Sequence, residues 1–214
     1  PINLSPWYAF AISSSQPKEI KLELDYGTYK HRYWPKLSKD LKGWTRIDSS
    51  QVEWIEEKPV FTINIDQTPL YFCGQELSNS TIVKNWFDTL CQENALKQFE
   101  IGKSRLGRSL FGAESVPEKE NAETIVFISR QHPPEVTGFK ALQSYLEEIM
   151  NDSDLSKAFR NKYRILVYPL LNPDGVDLGH WRHNAGGVDL NRDWGYYRQP
   201  EIRQIANHIY DYVK

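Results

Sequence analysis

Two short apolar runs with a helical pattern between them constrain the fold of this chain more than any other feature. Residues 125–128 (Ile-Val-Phe-Ile) and 164–168 (Arg-Ile-Leu-Val-Tyr) have the length and the apolar content of buried strands. Between them, from Glu135 to about Met150, apolar residues recur at helical spacing. Strand, helix and strand in this order predict a parallel pair of strands joined by a right-handed crossover.

The first third of the chain follows a different period. Ile20, Leu22 and Leu24 alternate with charged residues, as in a strand with one buried face. The same period predicts further strands at residues 7–12, 44–47, 52–55 and 60–65 and an extended aromatic stretch at 28–34. Several short strands between turns are typical of a small antiparallel β-sandwich.

The hydrophobic period changes near Asn79. Ser80 or Thr81 can cap a helix there, which places a domain boundary at about residues 75–80. We therefore predict a β-sandwich domain at 1–77 and an α/β domain at 78–214. The second domain is predicted to contain a hairpin or edge strand at 101–111, a polar loop at 114–123, a short helix at 155–159 and a last helix at 200–213.

Composition excludes several classes of function. The 214 residues carry a formal net charge of −2, which does not suggest a nucleic-acid partner or an anionic membrane surface. No apolar run has the length of a membrane span. Cys73 and Cys91 cannot form a disulfide framework, so we expect reduced thiols in a cytoplasmic protein.

Polar side chains follow both predicted strands of the α/β unit. His132-Pro133-Pro134-Glu135 comes after the first, and Asn172-Pro173-Asp174-Gly175 comes after the second. Because the carboxyl ends of parallel strands meet at one edge of a sheet, we expect both turns at that edge, where ligands bind. His132 and Glu135 on a stiff proline turn can bind one cation, although a solvated pair or a simple ion pair would also give this pattern.

A third polar segment follows at residues 181–194, which read Trp-Arg-His-Asn-Ala-Gly-Gly-Val-Asp-Leu-Asn-Arg-Asp-Trp. Together with the two turns, this segment resembles the zinc metallocarboxypeptidase family. The motifs that carry the resemblance are His132 to Glu135, Asn172 to Gly175, Trp181-Arg182 and Gly187 to Trp194. The front half also looks like the β-rich domain of the cytosolic carboxypeptidase subfamily and its bacterial relatives. That looser likeness rests on residues 7–10 and the strand pattern.

The resemblance implies a role for five residues. His132 and Glu135 match two of three zinc ligands, and Arg182 matches the arginine that stabilises the oxyanion. Asn191 and Arg192 match the pair that holds the terminal carboxylate of the substrate. The implied fold is a carboxypeptidase-like α/β domain, and the implied reaction is hydrolytic release of the C-terminal residue from a peptide or protein tail.

The sequence also departs from the family pattern. No third histidine ligand, general-base glutamate or tyrosine can be assigned after Arg192. His208 is interpreted as a surface or packing residue, His180 and His183 as loop or cleft residues, and Glu201 as an acidic residue that suits a helix start. We therefore expect the front part of such an enzyme, with little or no peptidase activity of its own.

Two other interpretations remain open at this point. A non-catalytic module could bind peptide tails through Arg182, Asn191 and Arg192 without performing chemistry. A purely structural α/β protein could contain His132 and Glu135 as a simple pair.

Overall fold

The computed structural model describes residues 6–117 and 122–212. The chain divides into two compact units, the first of which ends at Leu77 and the second of which begins at Ser78. Each unit has its own hydrophobic core.

The first unit is built from short antiparallel strands. The strands are β1 Ala9–Ile12, β2 Lys18–Glu23, β3 Lys36–Ser38, β4 Thr45–Arg46, β5 Val52–Ile55, β6 Lys58–Ile65 and β7 Leu70–Cys73, with a 3₁₀ turn at Ser49–Gln51. They form two sheets with the orders β1-β7-β3-β4 and β2-β6-β5. Phe61 of one sheet and Phe72 of the other are fully buried, and their ring centroids lie 5.3 Å apart. The predicted sandwich core is therefore aromatic packing rather than a ligand site.

One predicted element of the first unit is wrong. The stretch 28–34, expected to be extended, contains no strand, and the strand of this region is β3. A turn at Gly27, with φ of 59°, and a hydrogen bond from Tyr29 N to Tyr26 O redirect the chain. In place of strand pairing, a side-chain hydrogen bond anchors this stretch, from Trp34 Nε1 to Ile47 O at 2.8 Å.

The second unit is a four-stranded mixed sheet with helices. The elements are α1 Ser80–Glu93, β8 Lys97–Lys103, β9 Ser109–Glu114, β10 Glu123–Ile128, α2 Val136–Met150, α3 Asp154–Lys162, β11 Tyr163–Tyr168, α4 Pro173–Asp177, a 3₁₀ turn at Leu190–Arg192 and α5 Pro200–Tyr212. The strand order is β10-β11-β9-β8, and β10 pairs with β11 in parallel over the register Glu123↔Tyr163 to Ile128↔Tyr168. The predicted strand–helix–strand unit is thus present.

Strand β11 separates two apolar clusters because successive side chains point to opposite faces. Ile165 and Val167 belong to the cluster that includes residues of α1 and α2, whereas Leu166 and Tyr168 belong to the cluster that includes residues of α5. Both faces of this strand are therefore covered, as its continuous apolar sequence predicts.

The N-cap of helix α1 lies one residue before Ser80, the first of the two predicted caps. Asn79 is the N-cap, and its side chain accepts a hydrogen bond from Ile82 N at 2.9 Å. The predicted polar loop is shorter than expected, since Glu114 ends β9 and Glu123 begins β10, and its residues 118–121 lie outside the described residues. Val213, the end of the predicted last helix, also lies outside them. Within the described ranges, none of the helices has the length and apolarity needed to cross a membrane.

Candidate metal and substrate site

The two strand-end turns lie side by side at one edge of the sheet, as predicted. Main-chain hydrogen bonds join them, from Leu171 N to Ser129 O at 3.0 Å and from Asn172 N to Arg130 O at 3.1 Å. The turn with His132 and Glu135 is therefore fixed to the turn that begins at Asn172.

Asn172 links these turns to the third polar segment. Its side chain is fully buried, and Nδ2 donates to Gln131 O at 3.2 Å and to His183 O at 3.3 Å. Its Oδ1 accepts from Gly175 N at 2.9 Å. One amide thus connects the His132 turn, its own turn and the segment that carries Arg182.

The other residues of the Asn172 turn have structural roles. A Cβ atom at Gly175 would lie 2.7 Å from the Asn172 amide and 2.8 Å from His183 O, so only glycine fits there. The carboxylate of Asp174 is fully buried and accepts hydrogen bonds from Ser104 Oγ, Leu106 N and Arg108 Nη1 at 2.8 to 2.9 Å. These contacts fasten the turn to the connection between β8 and β9.

His132 and Glu135 are brought into direct contact. His132 Nδ1 lies 2.7 Å from Glu135 Oε1. The histidine is buried, whereas the glutamate side chain is 54% exposed. The pair therefore presents an open side toward solvent, as a site that receives a substrate requires.

Asp189 completes the arrangement around His132, although sequence reasoning assigned it no role. Its Oδ1 lies 2.9 Å from His132 Nε2 and also accepts from Asn191 N at 2.9 Å. Its Oδ2 accepts from Arg182 Nε at 2.6 Å. A single carboxylate thus contacts the candidate metal histidine, the candidate oxyanion arginine and the main chain of the candidate substrate pair.

The hydrogen bonds also set the charge of Asp189. Burial acts to raise the pKa of this carboxyl, but the hydrogen bonds from His132 and Arg182 outweigh burial and leave the pKa below its usual value. The carboxylate is consequently ionised at neutral pH and can accept from both partners.

Both ring nitrogens of His132 face a carboxylate, so a neutral ring can donate its proton to only one of them. In the tautomer that donates from Nε2 to Asp189, the lone pair is on Nδ1. That lone pair faces a carboxylate oxygen at 2.7 Å, a contact that is favourable only with a cation, either a proton or a metal ion, between the two atoms. Imidazole nitrogen and carboxylate oxygen are both zinc ligands, and a carboxylate behind the histidine is typical of zinc sites, so these residues fit zinc.

Arg182, Asn191 and Arg192 lie in one segment but differ in their contacts. The Arg182 side chain is 41% exposed and is held by Asp189. Asn191 and Arg192 are exposed in the 3₁₀ turn that Asp189 caps, and Arg192 Nη1 donates to Asn191 O at 3.2 Å. The structure therefore joins His132, Glu135 and Arg182 through side chains and joins the Asn191–Arg192 pair to them through its main chain.

The loop before Asp189 is shaped by a second buried network that sequence reasoning missed. Asn184 Oδ1 accepts from Gly186 N and Val188 N, and its Nδ2 donates to Glu201 Oε2 at 3.1 Å. Glu201 is fully buried and also accepts from Arg105 N. The interpretation of Glu201 as an acidic residue that suits a helix start was therefore incomplete.

The remaining histidines lie outside the metal pair. His180 Nδ1 contacts His183 O at 3.1 Å, and His183 forms an isolated bridge with Asp189, which suits the predicted loop role. The ring of His208 packs against that of Phe99 at an angle of 38°, with centroids 4.4 Å apart, so it is a packing residue. Among residues 6–117 and 122–212, no group of three or more His, Cys, Asp or Glu side chains has the geometry of a metal site.

Comparison with known proteins identifies the fold. Over 96% of this chain, a metallo-carboxypeptidase from Burkholderia cenocepacia has a similar structure, with a TM-score of 0.82 at 19% sequence identity. The chain spans 58% of that structure. The predicted architecture, a carboxypeptidase-like α/β domain preceded by a small antiparallel β-sandwich, is confirmed.

Sequence comparison gives the family. An uncharacterized protein of Zymomonas mobilis is 35% identical over 115 residues, which are 51% of this chain and 30% of that protein. Cytosolic carboxypeptidase 2 of Danio rerio is 34% identical over 82 residues, which are 38% of this chain and 11% of that protein. The zinc carboxypeptidase profile matches residues 83–210. By this match, the chain belongs to the zinc carboxypeptidase family.

Proposed function

We propose that this chain supplies the first part of the active site of a zinc-dependent metallocarboxypeptidase, which removes the C-terminal residue of peptides or protein tails. The observation that carries the proposal is the shared carboxylate of Asp189. It holds His132 by one oxygen and Arg182 by the other, at 2.9 and 2.6 Å. A metal ligand and a cation for the substrate are thereby kept in a fixed relation, as catalysis by preorganised charge requires.

His132 Nδ1 and Glu135 hold the zinc ion in this proposal. Zinc supplies two effects when bound, since it lowers the pKa of a coordinated water and polarises the scissile carbonyl. Asp189 keeps the proton of His132 on Nε2, so that Nδ1 remains available as a ligand.

Arg182 stabilises the oxyanion that forms when water adds to the scissile carbonyl. Its guanidinium is bound to Asp189 only through Nε in that contact, and an arginine has further donors on its two terminal nitrogens. A guanidinium aimed at the oxyanion stabilises charge that exists only in the transition state, which raises the rate of the chemical step.

Asn191 and Arg192 select the end of a chain. Arg192 can bind a carboxylate with two parallel hydrogen bonds, and the amide of Asn191 adds a donor. Both residues are exposed and can meet a substrate from solvent. An internal peptide bond has no carboxylate at this place, so the pair restricts cleavage to the C-terminal residue.

The third ligand and the general base are proposed to come from residues other than those described. Strand β10 is at the edge of the described sheet, and Ile125 to Ile128 are only partly buried, whereas Ile165 to Tyr168 of β11 are buried. A further strand parallel to β10 would end beside His132 and could deliver a histidine there. For the same reason we propose that the 214-residue chain alone has little or no peptidase activity.

The alternative is a non-catalytic module that binds peptide tails. The observation that favours it is the lack, among the described residues, of a three-residue metal group. Both functions need Asn191 and Arg192, but only the enzyme needs the metal pair. We place either protein in the cytoplasm, in line with the buried free thiols of Cys73 and Cys91 and with the cytosolic carboxypeptidases among its relatives.

The test is release of the C-terminal residue from a peptide by a polypeptide in which, as proposed, further residues supply the third ligand and the general base to this chain. The wild type is expected to cleave a peptide with a free carboxylate and to leave the same peptide untouched when its C-terminus is amidated. His132→Ala should abolish cleavage but retain peptide binding, whereas Arg192→Met should weaken binding. Equal cleavage of both peptides would contradict the proposal, and tail binding without any cleavage would favour the alternative. Turnover by the 214-residue chain alone would refute the proposed external ligand and base.

A further inference from the structure

Arg130, two residues before His132, combines an unusual backbone conformation with a buried side chain. Its φ is 55°, in the left-handed region that residues with side chains rarely adopt. It is nevertheless an arginine, and only 3% of it is exposed. Strain of this kind is destabilising and persists only where the surrounding structure demands it.

The hydrogen bonding of this guanidinium is also unusual. Nη2 donates to Pro133 O at 2.7 Å, whereas Nε and Nη1 are buried without a hydrogen-bond partner among the described residues. The guanidinium carbon lies 5.6 Å from the ring centroid of Phe139 on α2, which provides a weak cation–π contact. Buried donors without partners are destabilising, so packing alone would favour an apolar residue here.

The contacts of Arg130 connect the two turns. Its main-chain oxygen accepts from Asn172 N, and its side chain reaches forward to the carbonyl of Pro133. Pro133 lies between His132 and Glu135, so its peptide plane sets the separation of the two ligands. A charged donor forms a stronger hydrogen bond to this carbonyl than a neutral one. The left-handed backbone allows one residue to make both contacts.

We propose that Arg130 is a positioning residue that holds the His132–Glu135 turn in the conformation that binds zinc. The proposal rests on the proposed metal pair and adds to it a residue that touches neither metal nor substrate. It explains why a strained backbone and a buried charge with unpaired donors occur at this place. The Nη2 hydrogen bond fixes the Pro133 carbonyl from inside the fold, and the ligand side chains are left free to face the metal.

The test compares three variants of the 214-residue chain. Arg130→Met removes the side-chain hydrogen bond to Pro133 O, Arg130→Lys retains a charged donor, and Arg164→Met is the matched control. Arg164 also has a buried Nε without a hydrogen-bond partner in the described structure, but it lies on β11 and faces Tyr212. Zinc affinity is measured by competition with a chelator, and the His132 ring N–H is followed by ¹⁵N NMR.

Arg130→Met is expected to lower zinc affinity about 10- to 100-fold, as loss of an outer-shell contact does elsewhere. It should also shift the His132 ring signal. Arg130→Lys should recover part of the affinity, which a merely structural role would not predict, and Arg164→Met should leave both readouts at the wild-type values. If Arg130→Met does not fold, the difference between Arg130→Lys and Arg164→Met decides the question.

Zinc affinity in Arg130→Met that equals or exceeds that of Arg164→Met would overturn the proposal. Failure of the metal pair itself is recognised separately, because His132→Ala would then bind zinc as well as the wild type. In that case the ring signal of His132 still decides whether Arg130 fixes the turn. An unshifted signal in Arg130→Met would refute the proposal without reference to metal.

Discussion

The two turns at the edge of the second sheet differ in how their polar groups are used. In the Asn172 turn, Asn172 and Asp174 are fully buried and bonded within the fold. In the His132 turn, Glu135 is 54% exposed and His132 Nδ1 faces only that carboxylate. The comparison indicates that one turn uses its polar groups to stabilise the edge, whereas the other leaves its polar groups available for the proposed zinc site. Substitutions should therefore separate stability from zinc binding, and the predictions below are ordered by their effect on the free energy of unfolding.

Asn172→Ala is expected to have the largest effect. It removes three hydrogen bonds of a fully buried amide, so the free energy of unfolding of the second unit should fall by about 3 kcal/mol. Urea denaturation measures the change. Asn161→Ala, at an exposed position in α3, is the control and should change stability little. If Asn172→Ala lowers the free energy of unfolding no more than Asn161→Ala does, the Asn172 turn is not the stabilising one.

Asp189→Asn is expected to have the second-largest effect on stability and, unlike Asn172→Ala, is predicted to weaken zinc binding. The amide preserves the shape but removes the charge that His132 and Arg182 contact, so stability should fall by about 2 kcal/mol. Zinc affinity should fall about 10- to 100-fold, because the tautomer of His132 is no longer fixed. Denaturation and chelator competition on the same sample measure both changes. Unaltered zinc affinity would exclude Asp189 as the partner that orients the metal histidine.

His208, which packs on Phe99 of the sheet and not at the edge with the two turns, is expected to make the stability of the fold depend on pH. Burial lowers the pKa of this imidazole, while the carboxylates of Glu114 and Asp211 act in the opposite direction. The neutral form of the ring is therefore favoured in the folded state, where its Nδ1 lies 2.7 Å from Tyr168 Oη. Its contribution to stability is fully present above the unfolded pKa of about 6.5 and is lost as the pH falls from there through the folded pKa.

The expected loss on acidification is smaller than the loss in Asn172→Ala. Stability is measured by urea denaturation at several pH values between about 7 and 5, a range that covers the ordinary histidine pKa. His208→Phe should retain the packing on Phe99 but flatten this part of the profile. A profile of the same slope in His208→Phe and wild type would assign the acid sensitivity to another group, such as His31, whose pKa is also lowered by burial.

Glu135→Gln is expected to change stability least. Its side chain is 54% exposed, so the free energy of unfolding should stay within about 0.5 kcal/mol of wild type. Zinc affinity should nevertheless fall at least about 10-fold, because a charged ligand becomes a neutral amide. Competition with a chelator measures this. A stability loss comparable to that of Asn172→Ala would show that the two turns do not differ in role.

The sequence was sufficient for features that depend on local pattern. The apolar runs at 125–128 and 164–168 identified both parallel strands, and the strand-end rule placed His132 and Asn172 at one edge. Family resemblance added roles for Arg182, Asn191 and Arg192, and these roles remain proposals.

Contacts between residues that lie far apart in the sequence could not be predicted. Asp189 was visible in its motif, but its contact with His132 joins residues 57 positions apart. Glu201 has the pattern of an acidic residue at a helix start, yet its buried carboxylate also accepts a hydrogen bond from Arg105 N, 96 positions away. In these two cases a tertiary contact decides the role of the residue, and local sequence does not reveal it. The stretch 28–34 failed for a different reason, because the strand-forming residues follow a local turn at Gly27.

Equilibrium dialysis of zinc against the wild-type chain, His132→Ala and His208→Ala tests the central claim most directly. His208 is the control because it is a half-buried histidine that packs on Phe99, away from the turn. We predict zinc binding in the wild type and in His208→Ala, reduced at least about 10-fold in His132→Ala. Zinc that binds His132→Ala as well as the other two proteins would contradict the metal site.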